Sequence, residues 1–297
     1  MMSKSAFLLC TAGAAAVLFA ACSPAASSSG TGGRSGSGSG GSGSGGSGLG
    51  ANCINSNDDL VADFKTDNGL NPVDGRSGGF YTYGDPSEKS GTPLATLNPA
   101  EGAPGTIDSS MGNSECSGSG SFRVTATGFK IWGAALGTNF APMEGSFKGW
   151  YDATKYKGLS FWAKAAKELT GVQVSFPDVY TDGGANATDA DPTATIVCAY
   201  GPATTNCSPY LVKFGDSAYP NYVNYKIDTT WRRFDITFAD TSQDQNNAPG
   251  YLLPNIGHLD LKHLTAMAVQ VNAIHNADMS VTANDFDIWI DDVNFIR

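Results

Sequence analysis

The chain has 297 residues, of which 37 are glycine and 15% are charged, and its formal net charge is −10 at pH 7. Lys4 and Arg34 are the only charged side chains in residues 1–50, so the remaining 247 residues carry 16 basic and 28 acidic side chains, a net charge of −12. This excess of acid excludes a nucleic-acid binder, which grips phosphates through Lys and Arg, and a polybasic membrane-surface binder. The 41% of hydrophobic residues are enough for a core, which excludes a disordered acidic tail.

Residues 1–21 have the pattern of a bacterial export signal. Lys4 precedes an uncharged apolar run over residues 6–21, which is shorter than the about 20 apolar residues of a spanning helix. The run ends at Phe19-Ala20-Ala21-Cys22, which resembles the lipobox of bacterial lipoproteins, although Phe stands where Leu is usual. The resemblance implies cleavage before Cys22, acylation of that Cys and, because Ser23 is not Asp, display at the outer membrane. An ordinary secretory signal with a chance Cys is the alternative.

Residues 22–52 are predicted to be a flexible linker. They consist largely of Ser, Gly and Ala, a composition that cannot bury apolar surface. At roughly 5–6 Å × √n, such a linker has a reach on the order of 30 Å. Residues 53–297 are then expected to form a single domain. The chain would be attached to the membrane only through the lipid on Cys22, at the start of the linker.

The remaining cysteines suit an oxidising compartment. Cys53, Cys116, Cys198 and Cys207 are an even number after the signal and the lipidated Cys are set aside, and three pairings are possible. The short spacing favours a disulfide between Cys198 and Cys207, which leaves Cys53 with Cys116. A metal site formed by these cysteines is disfavoured, because the chain has no CxxC motif and its three His lie far from the cysteines in sequence.

Alternating apolar and polar residues predict a β domain from about residue 60 onward. The predicted strands lie near residues 60–64, 122–125, 159–164, 172–176, 233–238, 269–272 and 286–291. Gly, Pro, Asn and Asp clusters separate these runs, and only residues 259–268 allow a short helical turn. Many strands without long helices predict an all-β sandwich or barrel.

A set of segments occurs in a fixed order along the chain: VADF at 61–64, GFYTYGD at 79–85, YDATKYKGLSFWAK at 151–164, VQVSFPD at 172–178, the loop between Cys198 and Cys207, TWRRF at 230–234 and FDIWIDDV at 286–293. This ordered set resembles the galactose-binding-like jelly roll of non-catalytic carbohydrate-binding modules, nearest the family 11 type. The resemblance covers about Leu60 to Arg297. It implies a jelly-roll β-sandwich of two antiparallel sheets, a structural Ca²⁺ and a sugar groove on the concave sheet.

Sugar binding requires aromatic rings for the flat C–H patches of a sugar and planar polar groups for its hydroxyls. The candidate platforms are Tyr81, Tyr83, Trp132, Trp150, Tyr151 and Trp162. The candidate hydroxyl-binding groups are Gln173, Gln270 and Asn272, which alternation puts off the core, and Asp178 at a strand end. Each has a structural alternative, because Trp also braces jelly rolls and amides also hold water in a wet groove.

Asp63 and Asp292 are the candidate Ca²⁺ ligands. In the resembling family the terminal strands meet, and the resemblance implies that the first-strand Asp63 and the last-strand Asp292 hold the ion there. Ca²⁺ also takes amide and main-chain carbonyl oxygens. The alternative is that both carboxylates only satisfy turn amides. The acidic loop at residues 182–191 is a second candidate, but its spacing does not fit an EF-hand and favours a solvated loop.

Enzymatic readings have weaker support. Residues 75–79 (GRSGG) match the nucleophile-elbow pattern, but a strand is predicted after them where that elbow needs a helix. A carboxylate pair for glycoside hydrolysis is not excluded among 28 acids. We expect a monomeric, lipid-anchored polysaccharide binder without catalytic activity. The alternatives are a surface adhesion protein that binds protein and, third, a polysaccharide hydrolase.

Overall fold

The computed structural model describes residues 59–65, 69–89, 94–103, 106–109, 120–186, 206–214, 222–223, 226–243, 251–252 and 257–297. All of them lie within one compact unit that extends over Gly46–Arg297. The predicted signal, the linker, Cys22, Cys53, Cys116 and Cys198 lie outside these ranges, and only the backbone of Cys207 is described. Within the same ranges, no helix has the length and apolar character needed to cross a membrane.

The first sheet brings together the two ends of the described chain. Numbered in chain order, its strands are β14 (Arg232–Thr237), β9 (Gly158–Ala165), β20 (Phe286–Ile296), β5 (Phe122–Thr127) and β3 (Thr96–Asn98), with β1 (Leu60–Ala62) beside β20 and β4 (Thr106–Ile107) beside β5. The long strand β20 pairs with β9 along one side, and with β5 and β1 along the other. All of these pairings are antiparallel.

The second sheet carries half of the candidate sugar-binding residues, namely Tyr81, Tyr83, Gln173, Gln270 and Asn272. Its strand order is β13 (Tyr222–Val223), β12 (Tyr210–Phe214), β10 (Val172–Phe176), β17 (Ala266–Asn272), β6 (Gly133–Asn139) and β2 (Tyr81–Gly84), with β15 (Ser242–Gln243) beside β12. It is antiparallel except where β13 pairs with β12.

Short elements complete the described structure. Three strand pairs lie outside the two sheets: β7 (Met143–Glu144) with β8 (Phe147–Lys148), β11 (Asn206–Cys207) with β16 (Tyr251–Leu252), and β18 (Ile274–His275) with β19 (Val281–Thr282). The described residues contain no α-helix, and 3₁₀ turns lie at Pro86–Glu88, Phe238–Asp240 and Leu261–His263. The last of these turns falls within the segment where a short helical turn was predicted.

The core lies between the two sheets. Phe214 of the second sheet stacks on Phe234 of the first with ring centroids 5.0 Å apart, and Phe234 stacks on Phe161 at 5.5 Å. All three rings are buried. Burial of an aromatic side chain is a large apolar contribution, and stacking adds about 0.5–1.5 kcal/mol to it. The predicted all-β jelly-roll sandwich is therefore confirmed.

The strand predictions succeed where large apolar residues alternate with polar ones. Strand β10 spans Val172–Phe176, as predicted. Strand β1 ends at Ala62, two residues early, because Phe64 has a positive φ of 48° that an extended strand does not allow. Strand β6 was missed, because Gly133–Asn139 contains only one large apolar residue and Gly and Ala are depleted in strands.

Candidate functional site

Alternation along the strands of the second sheet separates a core face from an outer face. Val174 and Val269 are fully buried on the core face, so the neighbouring Gln173 and Gln270 lie on the outer face. The register aligns Gln173 with Gln270, Gln270 with Ala135, and Ala135 with Tyr83. The row from Tyr83 to Gln173 therefore crosses four strands, about 14 Å at the usual strand spacing.

An aromatic cluster lies at the β2 end of this row. The ring of Tyr83 is 5.9 Å from that of Tyr81 and 5.9 Å from that of Trp132. All three side chains are partly exposed, and the hydroxyl of Tyr81 donates to Oδ1 of Asn139 at 3.2 Å. The rings are tilted and not flat on one another, so they form a stepped surface.

Both tyrosines of the cluster keep their phenolic protons. Burial raises the pKa of Tyr83 far above its ordinary value, and Tyr81 and Asp182 raise it further. Burial also raises the pKa of Tyr81, although Lys148 acts in the opposite direction. The two hydroxyls are therefore neutral at physiological pH and can both donate and accept hydrogen bonds.

Three amides form a relay in the middle of the outer face. Nε2 of Gln270 donates to Oδ1 of Asn272, and Nδ2 of Asn272 donates to Oε1 of Gln173 at 3.2 Å. Gln173 is 8% exposed, and Gln270 and Asn272 are partly exposed. The backbone of Asn272 is also fixed, because its N–H donates to the carbonyl of Gly171 and its carbonyl accepts from Nδ2 of Asn284. The three polar positions predicted by alternation are thus in one cluster.

An ion pair beside Tyr81 was not predicted. Nζ of Lys148 lies 3.0 Å from Oδ2 of Asp182, which also accepts from the hydroxyl of Thr265 at 2.8 Å. Burial lowers the pKa of Lys148, but Asp182 and Tyr81 together outweigh this effect, and the pKa of Lys148 is raised. Lys148 belongs to a two-residue strand outside the predicted segments, and Asp182 was considered only as part of an acidic loop. Asp182 is thus engaged by Lys148 and Thr265, and residues 187–191 of that loop lie outside the described structure.

Asp178 does not join the outer-face cluster. It is fully buried, and its carboxylate accepts hydrogen bonds from the amides of Tyr180, Thr181 and Asp260 and from the hydroxyl of Thr181. Burial raises its pKa to about 6, against the opposing effect of these amides and hydroxyl. The prediction that Asp178 reads sugar hydroxyls is corrected: it joins two loops that are distant in sequence.

Trp162 lies on the other sheet. Alternation correctly puts it opposite the core, but its strand is β9, where it faces Arg233 and Asp291 of the first sheet. It is 8% exposed. Trp162 therefore does not line the same face as Tyr83, which corrects the prediction.

The other two candidate platforms also lie apart from the cluster. Tyr151 is a core residue that stacks on Phe295 at 5.6 Å. Trp150 packs edge-on against His263 at 4.7 Å.

Asp63 and Asp292 flank the pair Ala62–Val293 that joins β1 to β20, so they do approach the meeting point of the first and last strands. Asp292 is 1% exposed, whereas Asp63 forms an ion pair with Lys65 at 2.9 Å. Among the described residues, no group of three or more His, Cys, Asp or Glu is arranged to hold a metal. A Ca²⁺ ion here would need amide or main-chain carbonyl oxygens as further ligands, and it stays a prediction.

Comparisons with known proteins give remote structural similarities. No protein-family model and no curated protein matches the chain. The chain is similar to a family 11 carbohydrate-binding module from Clostridium thermocellum in complex with a β-1,3-1,4-mixed-linked tetrasaccharide, with a TM-score of 0.42 and 14% identity over 80% of this chain and 94% of that one.

Two further similarities are to modules of cellulosomal cellulases from Clostridium thermocellum. The family 11 module of Lic26A-Cel5E has a TM-score of 0.38 and 15% identity over 73% of this chain and 86% of its own. The family 30 module of Cel9D-Cel44B has a TM-score of 0.33 and 14% identity over 64% of this chain and 80% of its own. The assignment of a function rests on this chain's own side chains.

Proposed function

We propose that the chain binds a polysaccharide without cleaving it, through the outer face of the second sheet. One observation carries the proposal: Tyr83, Gln270 and Gln173 lie on a single cross-strand row of that face. Tyr81 and Trp132 extend the aromatic end of the row. This is the combination of apolar platform and planar hydrogen-bonding groups that a sugar chain requires.

The dimensions of the row favour a chain of sugars over a single sugar. Tyr83 and Gln270 are two strands apart, about 10 Å, so one small ring cannot contact both. A polysaccharide segment lying across β2, β6 and β17 would stack on the aromatic cluster and present hydroxyls to the amides. Ala135, between Tyr83 and Gln270 in the register, has no side chain beyond a methyl group to obstruct it.

We further propose that a lipid on Cys22 anchors the chain to the membrane and that a Ca²⁺ ion stabilises the domain where its first and last strands meet. The lipobox-like sequence ending at Cys22 supports acylation, and the Ser/Gly linker supports reach above the membrane. More than one acyl chain would give stable anchoring. The convergence of Asp63 and the buried Asp292 beside the β1–β20 pair supports an ion at that position.

Affinity electrophoresis tests the binding proposal. The full chain, solubilised in detergent, is run through gels that contain a β-glucan, a mannan or a galactan. We expect retardation by at least one polysaccharide, with no release of reducing sugar. The double variant Tyr83→Ala/Gln270→Ala should lose the retardation, and Trp231→Ala, a partly exposed aromatic before β14 of the first sheet, should keep it. Retardation by none of the polysaccharides would overturn the proposal, and sugar release would favour a hydrolase.

A further inference from the structure

The amide relay on the outer face has two unlike ends. A primary amide offers one carbonyl oxygen with two lone pairs and one amino group with two N–H donors. Asn272 uses its carbonyl for Gln270 and its amino group for Gln173. Gln270 therefore keeps its carbonyl oxygen outside the relay, and Gln173 keeps its amino group outside it.

This difference does not depend on which way the amides are turned. Reversing all three exchanges the two ends, so that Gln270 presents the amino group and Gln173 the carbonyl. In either orientation the relay is head-to-tail, because each of its two hydrogen bonds joins the amino group of one amide to the carbonyl oxygen of the next. One end therefore always keeps a carbonyl oxygen that makes no relay bond, and the other end always keeps an amino group that makes none.

The two ends of the relay are close enough to bind neighbouring hydroxyls of a ligand. Gln173 and Gln270 are directly opposite each other on adjacent antiparallel strands, where Cβ atoms lie about 4.5–5.5 Å apart. That separation suits two hydroxyls of one sugar or of adjoining sugars. Asn272 lies one outer-face position further along β17, and both polar atoms of its side chain are occupied by the two glutamines.

We propose that the relay makes the site directional: it binds one ligand hydroxyl as a donor and the neighbouring one as an acceptor. Asn272 is the positioning residue that sets this polarity without touching the ligand. The inference rests on the proposed polysaccharide binding and adds the hydrogen-bond pattern by which the site discriminates among sugars.

The substitution Asn272→Asp should erase the difference between the ends. A carboxylate only accepts hydrogen bonds, so both glutamines must turn their amino groups toward it and present carbonyl oxygens to the ligand. Gln173→Glu should have the same effect. The carboxylate of Glu would accept from Asn272 and present its other oxygen to the ligand, so both ends of the relay would again offer only acceptors. Two different substitutions are thus expected to change specificity in the same way.

The probes are tetrasaccharide fragments of whichever polysaccharide retards the wild-type chain most, each with one hydroxyl replaced by fluorine. Fluorine cannot donate a hydrogen bond. In the wild type, fluorination should weaken binding roughly tenfold at the hydroxyl that donates and little at its neighbour, because the glutamine carbonyl is then left without its donor. In Asn272→Asp and in Gln173→Glu, both positions should become sensitive to fluorination.

Asn276→Asp is the matched control, because it adds the same negative charge in the exposed hairpin after β17 without touching the relay. It should keep the wild-type pattern of fluorine sensitivity. If Asn276→Asp changes the pattern as Asn272→Asp does, or if neither relay variant changes it, the inference is wrong.

Side-chain amide NMR without glycan separates failure of the relay from failure of polysaccharide binding. In the wild type, two of the three relay NH₂ groups should have the low temperature coefficients of hydrogen-bonded amides, and one glutamine NH₂ should behave as solvent-exposed. In Asn272→Asp, both glutamine NH₂ groups should be hydrogen-bonded. Three exposed NH₂ groups in the wild type would overturn the relay even if the polysaccharide binds.

Discussion

Tyr83 is central to the aromatic cluster, because its ring contacts both Tyr81 and Trp132. We predict that Tyr83→Ala weakens polysaccharide binding by about 1–2 kcal/mol, since a stacked aromatic contact is worth roughly that amount. The fold should persist, because Tyr83 lies on the outer face of edge strand β2 and not in the core. Isothermal titration with the retained polysaccharide measures the change.

Tyr83→Phe is the matched control for this prediction. It keeps the ring and removes only the hydroxyl, so it should retain most of the affinity. Unchanged affinity in Tyr83→Ala, with an unchanged circular dichroism spectrum, would move the binding site away from the aromatic cluster.

Asp178 makes the stability of the domain depend on pH. Its folded-state pKa is raised from 3.8 to about 6, so between these values the native protein holds the proton more tightly than the unfolded chain does. The free energy of unfolding therefore falls as pH rises through this interval, by up to about 3 kcal/mol at 1.36 kcal/mol per pKa unit. Below about pH 4 Asp178 is protonated in both the folded and the unfolded chain, so this loss of stability is absent.

The variant Asp178→Asn isolates this effect. It removes the titration, and we expect it to be less stable than the wild type at pH 4, because Nδ2 cannot accept the hydrogen bond that Asp260 donates to Oδ2. We predict that the stability advantage of the wild type shrinks from pH 4 to pH 7, as measured by urea unfolding. Parallel pH profiles for the two proteins would refute the assignment.

At single residues, the sequence predicts orientation better than location. Alternation alone puts Gln173, Gln270 and Asn272 off the core, and the structure agrees. It cannot say that Trp162 belongs to the other sheet, because strand order is not written in the periodicity of one strand. Nor can it predict that the backbone N–H of Asp260, 82 positions away, donates a hydrogen bond to the carboxylate of Asp178.

Strand β6 depends on small residues for its close approach to β17. A Cβ added to Gly133 would lie 2.1 Å from the carbonyl oxygen of Val271, and Gly133 has a φ of +115°. We predict that Gly133→Ala lowers the free energy of unfolding by about 3–5 kcal/mol, from backbone strain and overpacking together. Urea unfolding monitored by tryptophan fluorescence gives the value.

Gly145 provides the comparison within the same chain. It also has a positive φ, +65°, but a Cβ there would meet nothing within 4 Å. Gly145→Ala should therefore show only the backbone strain, about 1 kcal/mol. Equal losses in the two variants would mean that close packing of β6 on β17 does not contribute.

Among the strands, β10 and β6 show what sequence patterns do and do not reveal. Val172, Val174 and Phe176 alternate with polar residues, and this pattern identifies β10 with its correct ends. In β6 the outward residues are Gly133, Ala135, Gly137 and Asn139, so only the last position has a polar side chain and the alternation is not marked. The strand exists because pairing with β17 and β2 satisfies its backbone.

For the whole domain, a Ca²⁺ ion at Asp63 and Asp292 would join the first and last strands. An ion that binds only the native state at 100 times its Kd stabilises it by about 2.7 kcal/mol, which corresponds to roughly 5–10 °C in Tm for a domain of this size. We predict that EDTA lowers the Tm by this amount, that CaCl₂ restores it, and that Asp292→Asn is insensitive to both. Identical melting curves with and without EDTA would exclude the ion.

The proposed lipid anchor would determine where the whole molecule resides. We predict that the full chain, expressed in a Gram-negative host, partitions into the detergent phase of Triton X-114, and that Cys22→Ser partitions into the aqueous phase because acyl chains supply the membrane affinity. Cys10→Ser is the control, since Cys10 lies within the predicted signal and would be removed with it, and it should partition like the wild type. Detergent-phase Cys22→Ser would refute anchoring through this residue.

The position of β20 in the first sheet has a consequence for how the protein is made. Its partners β1, β5 and β9 all precede it, and β1 lies more than 220 residues earlier in the chain. Such long-range pairing is slow to form, because the entropy of closing a large loop is lost before the contacts are gained. The first sheet cannot close until β20 has left the ribosome, and an incomplete first sheet during synthesis would suit the proposed export of the chain.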